Sequence, residues 1–354
     1  MQIPIIDGHN DSLHRLAPYT PERVRDFFTQ HTEGHIDLPR ARAGGLGGGF
    51  FAVFIPSQPA NTLPAPMEVI ITSNGYEVPL APPLDLAVAQ QATIAMTAGL
   101  FRLEAASAGQ IKVVRTATEM MTCLKAGVFA TILHFEGAEA IDPQLEALDV
   151  FYHAGLRSLG IVWSRSNTFG HGVPFRFPHT PDTGPGLTDA GRALVRACNE
   201  LGIMLDVSHL NERGFWDLAA LTDAPIVATH SAGHALCPVT RNLTDKQLDA
   251  IRESDGMVGV NFEVSALRED SYDDPNTPLD VLIRHIDYLV ERLGIDRVGF
   301  GSDFDGATMP QDLHDATGLP KLITQLQRHG YDDASLRKLA YENWLRVLQR
   351  TWHE

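Results

Sequence analysis

The chain has 354 residues, 44% of them hydrophobic and 20% charged, a balance that suits a globular protein with a large core and excludes a disordered chain. A formal net charge of −16 argues against a nucleic-acid footprint and against a polybasic membrane patch. No apolar run approaches the roughly 18 residues that a membrane span needs.

The opening stretch, Met1 to Asp7, lacks a basic region and a small-residue cleavage site, so it is expected to begin the fold and not to act as a secretory leader. From there, short apolar runs rich in β-branched residues predict strands at 3–9, 49–55, 129–136, 157–163, 203–209, 225–230, 257–262 and 298–303. Between them, helical periodicity covers 85–108, 143–153, 188–201, 211–221, 244–253, 278–292 and 334–349, with Thr188, Asn211 and Thr244 placed as N-caps. Alternating strands and helices imply a parallel sheet of the α/β class. Eight such repeats suit a closed (β/α)₈ (TIM) barrel better than an open doubly wound sheet. Nothing divides the chain, so residues 1–354 are expected to form a single domain. Two proline- and glycine-rich segments are expected as insertions: 56–83, with seven prolines, as a loop or small hairpin after the second strand, and 169–186 as a loop after the fourth. Both lie on the face where barrels place their active sites.

The polar residues fall at strand ends. The first strand ends in Asp7-Gly8-His9-Asn10-Asp11, and alternation along an extended chain puts His9 and Asp11 on one side. The third delivers Glu136, the fifth His209, the sixth His230 and the eighth Asp303. A lone histidine at a strand end is more often structural, but five converging strand ends make a shared site the better reading. Nitrogen and oxygen donors without thiolates favour Zn²⁺, Mn²⁺, Co²⁺ or Fe²⁺. Six candidates exceed the three protein ligands of a single catalytic zinc, which points to two metals sharing a carboxylate. His134 is expected to belong to an inner barrel layer, Asp305 to a turn, and Ser208 and Ser231 make no convincing serine triad. Three widely spaced cysteines without a CxxC pair predict no disulfide framework, and a cytoplasmic location.

Over nearly its whole length the sequence resembles the membrane (renal) dipeptidase family of the amidohydrolase superfamily. The matching pieces are DGHND at 7–11, the glycine-rich stretch 38–50, FEG at 135–137, LDVSH at 205–209, ATHS at 228–231, TRN at 240–242 and GFGSDFDG at 299–306. The resemblance implies a dipeptidase with two divalent metals, zinc first among them, acting through a metal-activated hydroxide and including Xaa–D-Xaa substrates. His9 and Asp11 would hold one metal, His209 and His230 the other, and Glu136 would bridge them. Asp303 would be the acid/base, and Arg241 would meet the substrate's C-terminal carboxylate.

One position departs from the family. A histidine that contacts the substrate carbonyl is replaced by Trp163, expected to wall the pocket, with His171 as a candidate substitute. That change keeps alive a related amidohydrolase acting on N-acyl amino acids or cyclic amides. A binding protein without catalysis is the rival of another class. The expected partner is a small dipeptide; a homodimer is left open. The polar C-terminal stretch from Leu348 to Glu354 is not expected to carry a lipid anchor.

Overall fold

The computed structural model describes residues 3–57 and 68–353. Eight parallel strands form the closed ring: β1 (Ile5–Asn10), β2 (Leu46–Val53), β3 (Phe129–Glu136), β4 (Leu156–Gly160), β5 (Met204–Asp206), β6 (Val227–Ser231), β7 (Met257–Val260) and β8 (Val298–Phe300), and the short strand Ile111–Val113 adds to the edge of β3. Each pairs with its successor, and β8 returns to β1 through Asp7 and Phe300, which closes a (β/α)₈ barrel. Every residue of β1 and β3 is buried, as expected of strands covered on both faces.

The outer helices follow from periodicity and caps. Leu279–Leu293 buries Leu279, Leu282, Ile283, Ile286, Leu289 and Leu293, a three–four spacing that lays one apolar stripe against the barrel. Thr188 and Asn211 cap their helices by accepting from Gly191 and Gly214 amides, and Gln247 Oε1 accepts from the Thr244 amide. The helix expected at 334–349 is broken: Asp333–Arg337 and Asn343–Thr351 flank a π-helical stretch, Lys338–Glu342. Helices at Leu38–Gly44, Ala117–Ala126 and Leu319–Arg328 add to those expected. No helix among the described residues is long and apolar enough to cross a membrane.

Of the segment expected to be inserted at 56–83, residues 58–67 lie outside the described ones. The remainder forms a hairpin in which Ile70–Ile71 pairs with Tyr76–Val78. Tyr76–Val78 pairs in turn with Phe175–Phe177, inside the other expected insertion. The two insertions thus join into one small antiparallel sheet over the barrel mouth.

The floor of the barrel explains the broken helix. The π-helical stretch turns Trp344 inward, fully buried, and its indole Nε1 donates to the Phe300 carbonyl at 3.1 Å. A Cβ on Gly8, Gly259 or Gly299 would lie 2.3, 2.9 or 2.8 Å from that indole, so three strands carry glycine where the ring enters. Phe50 packs on it with ring centroids 4.9 Å apart. Above it sits a polar layer holding Asp7, His134, Ser158, Asp206 and Thr229, on which the functional site rests. Trp344→Ala should cost about 3–5 kcal/mol, because no neighbouring side chain can collapse into a ring-sized void. The shift of the urea midpoint measures this, and a loss below about 1 kcal/mol would show that the floor does not depend on the indole.

Candidate metal centre

Buried aspartates set the shape of the strand ends. Asp206 Oδ1 accepts from the amides of Ser208 (2.9 Å) and Thr229 (2.8 Å), and Asp7 Oδ1 accepts from the Ser302 amide (2.7 Å). These bonds take backbone donors away from the sheet ladder, so β5 stops at Asp206 and β8 at Phe300, three residues before the expected ends at 209 and 303. The chain then turns, and both His209 (φ 65°) and Asp303 (φ 61°) adopt left-handed backbone. Such residues are uncommon away from glycine and gather where a side chain must be aimed. Asp11 likewise lies beyond the strand: β1 ends at Asn10, and Asp11 opens the short helix Ser12–Arg15. Strict alternation therefore does not explain why His9 and Asp11 face each other; the helical turn does.

The five expected ligands converge. Glu136 Oε2 lies 3.6 Å from His9 Nε2, which is itself 3.6 Å from Asp11 Oδ2. Glu136 Oε1 lies 3.1 Å from His209 Nε2 and 3.7 Å from His230 Nε2. The two imidazole Nε2 atoms are 3.2 Å apart. One carboxylate thus turns each oxygen towards a separate donor set. Donors bound at about 2.0–2.1 Å in a tetrahedron lie roughly 3.3 Å from one another, close to these spacings. Asp303 forms a further group with His9 and His230.

The surroundings prepare these donors. Thr229 Oγ1 donates to Asp206 Oδ2 at 2.6 Å, so its one hydrogen is used. It must therefore accept from His230 Nδ1, 2.8 Å away, which puts the proton on Nδ1 and leaves the Nε2 lone pair facing Glu136. Ser164 Oγ meets His209 Nδ1 at 2.9 Å and can orient that ring in the same way. Both nitrogens of His9 are buried without a hydrogen-bond partner, as is Asp11 Oδ1. Groups left so are rare unless something else satisfies them.

Charge tells the same story. Burial opposes a charged His9, yet Glu136, Asp11 and Asp303 outweigh it and carry the imidazole up to about 10. Glu136 is raised well above the usual carboxylate range by burial, with Asp11 and Asp303 adding to it. His209 and His230 are held neutral, chiefly by burial and then by the Arg241 and His9 charges. The cluster is short of positive charge and rich in nitrogen and oxygen donors, which fits divalent cations.

Above the cluster opens a cavity of about 700 Å³ lined by Asp11, Glu136, His209, Arg241 and Asp303 on one side. Burial raises Asp303, and its Oδ2 accepts from Asn261 Nδ2 at 3.0 Å. The buried Arg241 donates from Nη2 to the His230 carbonyl at 3.1 Å. Half-buried Trp163 also lines the cavity, with ring centroids 4.9 Å from Phe54, 6.1 Å from Phe175 and 5.9 Å from His209. His171 is not among the lining residues; its Nδ1 meets Ser166 Oγ. His134 sits beneath the site, bonded to Ser158 and driven down to about 3 by burial. Asp305 touches the cavity but is spent on Ser12 Oγ, the His35 amide and Arg15. Glu263, Phe54 and Phe175 line the cavity without having been picked out from the sequence. For Glu263 the signal was present: it is a carboxylate one residue past the seventh apolar run, much as Asp303 closes the eighth.

The family model described as membrane dipeptidase (peptidase family M19) matches residues 1–353. A metallopeptidase from Rhodobacter sphaeroides, solved with a phosphinate mimic of the dipeptide L-Ala-D-Ala, is 52% identical with a TM-score of 0.94, covering 99% of this chain and 100% of that one. An uncharacterised Klebsiella pneumoniae protein encoded in the pqqA 5′ region is 50% identical over 72% of this chain and 94% of its own length. A dipeptidase, tcpJ, of Claviceps purpurea is 25% identical over 97% of this chain and 76% of that protein.

The charge on His9 makes a prediction. In ion-free protein His9 stays protonated up to about pH 10, so an incoming cation must displace that proton. Affinity for Zn²⁺ should therefore rise roughly tenfold per pH unit between about 6 and 9, with proton release. Calorimetry in buffers of different ionisation enthalpy measures both; an affinity flat with pH would mean His9 is already neutral.

Proposed function

The chain belongs to the membrane dipeptidase family, peptidase family M19, and from that premise we propose that it is a binuclear zinc dipeptidase that hydrolyses dipeptides, Xaa–D-Xaa included. The observation that carries the reading is Glu136, whose two oxygens face two donor sets, His9 with Asp11 and His209 with His230. The phosphinate dipeptide mimic held by the Rhodobacter sphaeroides relative supports the substrate class. Three buried free cysteines accord with a reducing compartment, and the cytoplasm is the proposed location. Residues 1–354 are read as one catalytic unit.

Two divalent cations held by these five side chains would acidify a water and polarise the scissile carbonyl. The remaining work falls to the chain. Asp303, grouped with His9 and His230 and braced by Asn261, accepts the proton of the attacking water and returns it to the leaving nitrogen. A carboxylate whose pKa is raised by burial is suited to hold that proton. Arg241 presents a planar guanidinium to the substrate's terminal carboxylate. Trp163, with Phe54 and Phe175, offers an apolar wall to a substrate side chain. An indole N–H can donate but not titrate, so Trp163 selects by volume and contributes no pH step.

Cleavage of L,L-, L,D- and D,L-dipeptides beside N-acyl amino acids, after zinc reconstitution, tests the reading. Turnover of the N-acyl amino acids alone would transfer the site to the related amidohydrolases. Glu136→Gln should leave fewer than two equivalents of zinc per chain, because a neutral amide bridges two cations poorly. Asp303→Asn should keep the metal and lower kcat by about 10²–10⁴. Arg241→Met should weaken binding of free-acid dipeptides by about 2–5 kcal/mol and leave amidated ones unaffected. Trp163→Ala should relax selectivity between small and bulky side chains; a uniform change in kcat/KM across the panel would reduce Trp163 to packing.

A further inference from the structure

Glu263 is a carboxylate of the cavity to which the reaction assigns no task. The others are engaged: Asp11 and Glu136 in the donor sets, Asp303 beside them, and Asp305 in its bonds to Ser12, His35 and Arg15. Asp273 accepts from Thr308 near the rim. Glu263 follows β7, and Asn261 ties it to Asp303. Asn261 Oδ1 accepts from the Glu263 amide at 2.7 Å, while Asn261 Nδ2 holds Asp303.

The side chain is braced as well. Glu263 Oε1 accepts from Ser265 Oγ at 2.6 Å, and the Ser265 carbonyl accepts from Ser271 Oγ at 2.7 Å. Ser271 Oγ meets Tyr76 of the overlying hairpin at 2.9 Å. Oε2 has no hydrogen-bond partner, and no lysine, arginine or histidine lies within ion-pair distance among the described residues. Arg241 lines the same cavity, close enough for the two charges to attract, yet the two do not pair. A braced carboxyl, raised to about 7 by burial and the Asp303 charge, and a buried guanidinium therefore face one substrate space without pairing with each other.

We propose that Glu263 recognises a positively charged nitrogen of the substrate while Arg241 holds its carboxylate, so that the pocket reads opposite charges at two points. This rests on the dipeptidase reading. A dipeptide offers two such nitrogens, the α-ammonium and a basic side chain, and both make the same charge-assisted hydrogen bond. The burial of Glu263, which opposes its charge, favours a cation partner over a neutral one.

The test compares wild type, Glu263→Gln and Glu263→Asp on free dipeptides with neutral side chains, their N-acetylated forms, and dipeptides carrying lysine or the isosteric norleucine at either position. Glu263→Gln should lower kcat/KM about ten- to hundredfold, through KM, for substrates presenting the recognised cation. Other substrates should be unchanged, zinc content should stay at the wild-type level, and Glu263→Asp should recover part of the loss. A loss shared by all free dipeptides and absent from acetylated ones identifies the α-ammonium; a loss confined to lysine substrates identifies the side chain. Equal losses over the whole panel, or none, would overturn the proposal. Should Glu263→Gln not fold, wild type decides alone: lysine no better than norleucine, and free no better than acetylated, rejects it. Wild type that cleaves no dipeptide at all would reject the dipeptidase reading instead.

Discussion

Glu136 is a carboxyl buried at the centre of a barrel, and the rest of the site is arranged around the cost of charging it there. An isolated carboxylate out of water costs several kcal/mol even after relaxation. Three imidazoles surround it at 3.1–3.7 Å, two of them held neutral. Neutral rings solvate a carboxylate poorly through their lone pairs, so the cluster as built is destabilised until positive charge enters. The proton drawn onto His9 is the smallest such charge. A divalent cation serves better, because it meets several donors at once and binding free energy becomes folding free energy. The unpartnered nitrogens of His9 and the free Asp11 Oδ1 mark the same deficit by geometry alone.

That arrangement needs side chains aimed to within fractions of an ångström, which a regular strand does not supply. The aspartates beneath the site supply it. Asp206 and Asp7 capture amides and hydroxyls of neighbouring strand ends, and each turns the chain just before a functional residue. Burial and the Ser302 bonds act on Asp7 in opposite senses, and burial prevails, taking it up to about 7. Asp206 also fixes the His230 tautomer through Thr229, so one side chain governs both the backbone of His209 and the lone pair of His230. Beneath this layer Trp344 closes the floor, and the polar layer has no room to sink.

Much of this was legible in the sequence. Eight apolar runs give eight barrel strands, because a strand buried on both faces must be apolar nearly throughout. Glu136 stands out for the same reason, as a carboxylate closing such a run. His209 and Asp303 were placed at strand ends, yet they follow the strands, and their direction comes from turns that only tertiary hydrogen bonds specify. The sheet joining Tyr76 to Phe177 was not legible, since its strands are two or three residues long and lie about a hundred positions apart. The π-helical stretch at 338–342 was hidden because its sequence keeps ordinary helical periodicity on both sides. Glu263 was passed over because the seventh run was taken to end at Phe262, and a glutamate beyond it reads as a loop residue.

Placed together, these features divide the cavity by chemistry. The lower side gathers charge: His9, Glu136 and His230 at the ends of barrel strands, and Asp11, His209, Arg241, Glu263 and Asp303 on the segments that follow them. The upper side is largely apolar, formed by Phe54, Trp163, Phe175 and the hairpin residues Tyr76 and Val78. A small zwitterionic amide has the same division, with polar groups along its backbone and side chains projecting away. The charged side can bind what all dipeptides share, and the apolar side can discriminate by size. The two are mechanically joined, since Tyr76 of the roof bonds Ser271, whose hydroxyl bonds the Ser265 carbonyl, and Ser265 in turn holds Glu263.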